Sequence, residues 1–255
     1  MKFISPITAS LAGVIVVSSA NAAIIGQLGV LDSSTGLQPG DQYRLIFLTS
    51  TTTNALSSDI TTYNSFVQAT AAASTAYPGL GGGTWNIMGS TLTDDARDNT
   101  GTNPTAATGV PIFLTDGFTL LASSNAELWS APSAVPVTLD ENGTEVSNTS
   151  TRVFTGSFNN GTGVGAGSGG GANGDGTGSG DTALGVLDGQ GVQTGQPVNA
   201  NVGLELNFWI REWKEPAANS LPVYALSEPL TVIPEPSSVA LLGLALTGFF
   251  VRRRK

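Results

Sequence analysis

Hydrophobic residues in the first half of the chain follow two different periods. Gln42–Ser50 (QYRLIFLTS) is rich in branched and aromatic residues and follows the turn sequence Pro39-Gly40-Asp41, which is typical of a strand. Asp59 then has the position of a helix N-cap, and helical spacing continues to about Ser74. The apolar stripe of this helix comprises Ile60, Tyr63, Phe66, Val67, Thr70 and Ala71. The pattern predicts a strand followed by an amphipathic helix.

Shorter apolar segments follow, and most of them are typical of strands. They are Thr84–Met88, the strand Val110–Leu114, the short helix Ala126–Trp129, the strand Thr151–Gly156, the bent strand Leu204–Trp213 and the last strand Leu221–Val232. We expect an α+β domain from this order of elements. An all-β sandwich is the alternative, because predicted strands outnumber predicted helices.

One internal segment is nearly free of apolar side chains. Between Gly161 and Gly180, eleven of twenty residues are glycine. Such a segment buries too little apolar surface to offset the entropy lost on ordering. We therefore predict a long loop, Gly161–Gly180, inside the domain.

The N-terminus has the three parts of a secretory signal peptide. Lys2 supplies the positive charge, Leu11–Val17 the short apolar region, and Ala20 and Ala22 an Ala-x-Ala cleavage site. We expect cleavage after Ala22 by the general secretion machinery, so residues 1–22 are excluded from the fold.

The C-terminus has a different three-part pattern. Pro234-Glu235-Pro236 is followed by the uncharged segment Ser237–Val251 and by the basic residues Arg252, Arg253, Arg254 and Lys255. This arrangement closely resembles the PEP-CTERM signal of Gram-negative surface and exopolysaccharide-associated proteins. The resemblance implies recognition of Pro-Glu-Pro and processing of the tail by the membrane protease exosortase.

The length of the apolar segment agrees with a separate transmembrane helix. The segment from Pro234 through Val251, which includes the motif, has 18 residues, close to the roughly 20 that a bilayer core requires. Four consecutive cations favour the cytoplasmic side, which leaves the preceding chain outside. We therefore expect export, transient anchoring in the inner membrane, and delivery to the cell surface or the extracellular space.

These signals divide the chain into residues 1–22, an exported domain of residues 23–232, and a sorting signal of residues 233–255. Five of the ten basic residues and one of the 19 acidic residues lie in the signals. The exported domain keeps five basic and 18 acidic residues, a net charge of about −13. Nucleic acid is an unsuitable partner for this charge, because polyanions bind to clustered Lys and Arg.

The chain contains neither cysteine nor histidine. Disulfide bonds, the usual transition-metal ligands and a histidine general base are therefore excluded. These exclusions favour a non-enzymatic protein, and a hydrolase with two catalytic carboxylates is the least favoured class.

A second resemblance covers the exported domain from about Asp41 to Val232. The blocks that carry it, in chain order, are YRLIFLTS, YNSFVQATA, GGTWNIMGS, DDARDN, VPIFLTDG, AELWS, VFTGSFNNGTG and YALSEPLTV. Their order resembles endostatin-type C-type-lectin-like domains, which implies an α+β fold with long loops whose last strand pairs near the first. The disulfide cysteines, the zinc-binding histidines and the calcium-dependent sugar motif of such families are missing.

Two sets of residues are candidates for ligand binding. Asp94, Asp95 and Asp98 form the densest carboxylate cluster, which indicates either a calcium site or a solvated turn. Trp85 and Trp129 are either core residues or stacking platforms for sugar rings. A calcium- or carbohydrate-binding adhesin that contacts extracellular polysaccharide is therefore the alternative to a purely structural surface protein. No other cofactor is expected.

Overall fold

The computed structural model describes residues 24–26, 31–130, 135–146, 151–164, 182–187, 192–195, 210 and 213–234. One compact unit spans Ile24–Glu235. Its strands are β1 (Ile24–Gly26), β2 (Gln42–Leu48), β3 (Trp85–Ile87), β4 (Ile112–Leu114), β5 (Leu120–Ala122), β6 (Val153–Phe154), β7 (Val192–Gly195), β8 (Trp213–Glu215), β9 (Tyr224–Ser227) and β10 (Leu230–Pro234). Its helices are α1 (Ile60–Ala72), α2 (Ala96–Asn99) and α3 (Asn125–Ser130), with short 3₁₀ helices at Ser33–Thr35 and Pro78–Gly82.

Strand β2 lies at the centre of a mixed seven-stranded sheet. One of its edges pairs in parallel with β4, which pairs with β5. Its other edge pairs in antiparallel orientation with β9 and β10, which pair in turn with β3 and β1. Strands β6, β7 and β8 form a separate antiparallel sheet.

Strands β9 and β10 follow one edge of β2 with a change of register between them. Leu226 lies opposite Ile46, whereas Leu230 lies opposite Tyr43, so between these pairs three residues on one side face two on the other. The extra residue is a bulge at Glu228-Pro229, where proline is tolerated because the ladder is interrupted. The single strand predicted for Leu221–Val232 is therefore two strands.

Both faces of β2 are buried, and each faces its own hydrophobic cluster. Tyr43, Leu45 and Phe47 contact the cluster that includes α1, while Ile46 and Leu48 contact the cluster that includes α2 and α3. The domain is thus a mixed sheet with few helices, as the predicted α+β class requires. The all-β alternative does not fit, because α1 is an integral part of the core.

Helix α1 agrees closely with its prediction. The Asp59 carboxylate accepts a hydrogen bond from the Thr61 amide at 2.9 Å, and the helix begins at Ile60. Its buried residues are Ile60, Tyr63, Val67, Thr70 and Ala71, the predicted stripe except for the half-buried Phe66. Local capping and apolar spacing were sufficient to locate this element.

Two amide side chains of α1 bind the outer edge of strand β3. The Gln68 side-chain carbonyl accepts from the Trp85 amide, and that of Asn64 accepts from the Ile87 amide. Asn99 completes this side by donating to the Ile87 carbonyl at 2.8 Å and exchanging hydrogen bonds with Asn64. Backbone groups that would leave an open strand edge are therefore satisfied by side chains.

The described residues at the two ends of the glycine-rich tract are joined by backbone hydrogen bonding. The Ala183 amide donates to the Val164 carbonyl at 3.0 Å, and the Leu184 amide donates to the Ser90 carbonyl. Residues 165–181, which contain most of the predicted loop, lie outside the described ranges. The predicted strand Leu204–Trp213 also lies outside them, except for Ile210 and Trp213.

Arg44 is a buried cation on the α2 side of β2, with 6% of its surface exposed. Its guanidinium donates to the carbonyls of Thr100 and Ser227 at 2.7 Å each and to that of Gly101 at 3.3 Å. Burial lowers the pKa of this guanidinium, and the charge of Glu228 opposes that effect. Arg44 thereby connects the bulge after β9 to the end of α2.

Replacing Arg44 with methionine should lower the free energy of unfolding by roughly 2–3 kcal/mol, since charged hydrogen bonds are lost and buried carbonyls lose their donor. Urea unfolding of Arg44→Met measures this change. Lys214→Met, which removes a cation from the half-buried Lys214 on β8, is the control and should cost less than about 1 kcal/mol. Equal effects of the two substitutions would contradict the assigned role of Arg44.

Tyr63 gives the domain an alkaline limit. Its hydroxyl donates to the Ser57 carbonyl at 2.8 Å and accepts from the Ser57 amide at 3.0 Å. Burial, opposed by the bond to Ser57, raises the pKa of Tyr63 to about 12. The unfolded chain ionises this group near pH 10, so its contribution to stability is complete below about pH 10 and is lost as the pH approaches 12.

We expect the free energy of unfolding to fall over this range less steeply in Tyr63→Phe than in the wild type. Denaturant titrations between pH 9 and pH 12 measure both slopes. Identical slopes would show that another group sets the alkaline limit.

Candidate functional site

The sorting motif begins inside the last strand of the folded domain. Pro234 is the final residue of β10 and lies opposite Ile24, the first residue of β1. The pairing continues with Ile25 opposite Ile233 and Gly26 opposite Val232. No linker therefore separates the ordered domain from the first proline of the motif.

Val232 is the last residue of this strand for which the described structure also shows backbone hydrogen bonds to the turn that precedes β2. Its amide donates to the Asp41 carbonyl at 2.9 Å, and its carbonyl accepts from the Gly40 amide at 2.8 Å. Gly40 has a φ of 97°, so the turn that supplies these groups requires glycine. Beyond Val232, β1 is the strand partner that the described structure gives to Ile233 and Pro234.

The remaining predicted processing residues lie outside the described ranges. They are Ala20, Ala22, Glu235, Pro236, Arg252, Arg253, Arg254 and Lys255. The predicted transmembrane segment Ser237–Val251 also lies outside them. Among the helices that the structure does describe, none has the length and apolar character needed to cross a bilayer.

The three candidate calcium ligands have different partners. Asp94 accepts from the hydroxyls of Thr91 and Thr93, at 2.9 and 2.7 Å. Asp95 accepts from the Gly163 amide at 2.7 Å and lies 3.7 Å from the Arg97 guanidinium. Asp98 accepts from the Asn103 side chain at 2.6 Å.

Within the described ranges, no three Asp or Glu residues are arranged as a metal-binding group. The segment instead connects α2 to the start of the glycine-rich tract, since the Arg97 amide also donates to the Gly161 carbonyl. Calcium binding stays a prediction, and the geometry supplies a structural role for Asp95.

Trp85 is part of the core, with 1% of its surface exposed. Its ring lies 4.8 Å from that of Phe47, and its indole nitrogen donates to the Leu80 carbonyl at 2.8 Å. Neither face of this ring is accessible to a sugar.

Trp129 is also buried, with 4% of its surface exposed. Its indole nitrogen donates to both the carbonyl and the hydroxyl of Thr102, at 3.1 and 3.0 Å. A Cβ at Gly161 would lie 2.8 Å from the ring, so glycine permits this close packing. The two candidate sugar platforms are therefore core residues in this structure.

Sequence reasoning missed strand β1 and hence the partner of the sorting motif. Ile24 and Ile25 are β-branched residues that favour a strand, but they are only two residues beside a predicted cleavage site. Their pairing with Ile233 and Pro234 depends on contacts across more than 200 residues of sequence, which local patterns do not contain.

Comparison with known families agrees with the C-terminal pattern. Residues 232–255 match the PEP-CTERM protein-sorting motif. No curated protein matches the chain. The motif supports an exported protein that is sorted by exosortase, and it begins at the residue where β10 last contacts the Gly40–Asp41 turn.

Thermal unfolding of residues 23–235 separates the two interpretations of the aspartates. Each carboxylate already accepts hydrogen bonds, so we expect equal melting temperatures in millimolar calcium and in chelator. A bound ion would instead add about 2.7 kcal/mol of stability at a hundredfold excess over its dissociation constant. A calcium-dependent increase that is lost in the Asp94→Asn, Asp98→Asn double variant would establish a calcium site.

Proposed function

We propose that this chain is an exported, non-enzymatic surface or matrix protein that exosortase processes at Pro234-Glu235-Pro236. Its setting is the extracellular polysaccharide of a biofilm, as the resemblance to exopolysaccharide-associated proteins implies. The observation that carries the proposal is the PEP-CTERM motif at residues 232–255, which continues directly from the last strand of a folded domain.

The order of segments supports anchoring before release. An apolar stretch of 15 residues, Ser237–Val251, follows the motif and is bounded by four cations. Cations at that end favour retention on the cytoplasmic side, so the domain and the motif remain on the outer side. In this arrangement the tail would hold the exported domain on the outer side of the inner membrane until the motif is processed.

The composition of the domain supports a structural or binding role outside the cell. The chain has no cysteine or histidine to act as a nucleophile or general base at neutral pH. The acidic exported domain would repel nucleic acid and acidic glycans, which leaves neutral polysaccharide as the better partner.

A C-type-lectin-like fold is the architecture that we propose for the domain. Three features support it: a helix follows the first long strand, the last strands return to pair with β2, and the long interval between β5 and β9 contains the separate sheet of β6, β7 and β8. The cysteine-free core would then replace the disulfide bonds of such domains with two apolar clusters, one on each face of β2.

Replacing Pro234-Glu235-Pro236 with three alanines should abolish maturation, because exosortase loses its recognition sequence. We expect an unprocessed form in the membrane fraction, detected by immunoblotting of fractionated cells. The matched control is the double variant Glu228→Ala, Pro229→Ala, which removes an exposed Glu-Pro pair from the same chain end. Normal maturation of the triple-alanine variant would exclude exosortase processing at this motif.

A further inference from the structure

The first proline of the sorting motif is held in a ladder that its processing would have to open. Ile24–Gly26 covers the outer edge of β10 from Val232 to Pro234. Val232 has additional backbone bonds to the Gly40–Asp41 turn, but for Ile233 and Pro234 the described structure shows β1 as the strand partner. Residues on the N-terminal side of Glu235 are therefore part of a sheet.

A protease that reads a linear motif binds it as a separate extended strand, through backbone groups of the substrate. A backbone group already used in a ladder is not available for that contact. Pairing with β1 and binding to a processing enzyme thus compete for the same short stretch, Ile233–Pro234.

We propose that β1 is an inhibitory contact on the sorting motif, so that exosortase acts only on molecules in which Ile24–Gly26 has separated from β10. This inference rests on the proposed function and adds its regulation. The N-terminus of the exported domain thereby controls the processing of its C-terminus.

The contact is short enough to open without unfolding the domain. It contains three residue pairs, one of which includes Pro234, a residue without an amide hydrogen to donate. Ile233 is 41% exposed, so it is not a fully buried core residue. Short terminal strands open at a small fraction of the global cost, which makes the contact a control on rate and not a permanent block.

Opening also increases the distance that the motif can reach. With β1 paired, the last residue of the β1–β10 ladder is Pro234. With β1 separated, the last residue of β10 with backbone partners in the described structure is Val232, so two further residues can extend by about 7 Å. A membrane protease then has access to an unpaired strand and to a longer extended segment.

A reversible cross-link tests the inference directly, because the chain has no cysteine of its own. Ile25 and Ile233 lie opposite each other, where the Cα separation in an antiparallel ladder suits a disulfide. In cells that express exosortase, the Ile25→Cys, Ile233→Cys double variant should mature at least tenfold more slowly than wild type when oxidised. Dithiothreitol should restore the wild-type rate, and each single variant is a control.

The opposite change should accelerate maturation. Replacing Ile25 and Gly26 together with proline removes two consecutive amide donors, and one of two consecutive amides in a strand faces the partner strand. In a pulse-chase experiment we expect maturation about tenfold faster than wild type, equivalent to about 1.4 kcal/mol. The matched control Ile25→Val, Gly26→Ala keeps both donors and should mature at the wild-type rate.

The triple-alanine variant of Pro234-Glu235-Pro236 separates the two proposals. If it matures like wild type, the proposed function fails. If it is blocked while the oxidised double-cysteine and the double-proline variants both mature at the wild-type rate, the sorting assignment stands and the inhibitory contact is wrong. If the double-proline variant matures more slowly than wild type, β1 assists processing, which also overturns the inference.

Discussion

Strand β2 is buried on both faces and paired along both edges, and the other layers of the domain are positioned by contact with it. Six consecutive residues, Tyr43–Leu48, are inaccessible or nearly so. A strand in this position must satisfy every polar group within the protein, because water does not reach it. Arg44 shows the consequence, since its buried guanidinium is accommodated by three backbone carbonyls from two distant segments.

The same requirement explains the irregular features around the sheet. The bulge at Glu228-Pro229 lets one chain segment follow the edge of β2 although its register changes, and Ser227 remains placed to accept from the Leu45 amide with its side chain. On the outer edge of β3, Asn64 and Gln68 of α1 supply the hydrogen-bond acceptors that another strand would have supplied. Each irregularity satisfies backbone groups that regular pairing would leave open.

Sequence patterns predicted the elements whose cause is local. The Asp59 cap, the stripe of α1 and the branched residues of β2 each depend on neighbours within a few positions, and the sorting motif is itself a linear signal. Strand β1, the bulge and the burial of Trp129 against Gly161 depend on residues far apart in sequence, so no local pattern contained them. The Pro-Glu-Pro motif was therefore predictable, whereas its contact with Ile24 was not.

The hydrogen bond between Ala183 and Val164 bears on how such a domain changes over evolutionary time. The intervening tract departs from and returns to adjacent backbone groups, so its length is not set by any distance that it must span. Doubling the length of a connection between two such fixed points costs only about 0.6 kcal/mol of closure entropy. Insertions or deletions of glycine between Val164 and Ala183 can therefore accumulate while the hydrogen bonds that join these two residues to each other and to Ser90 stay the same.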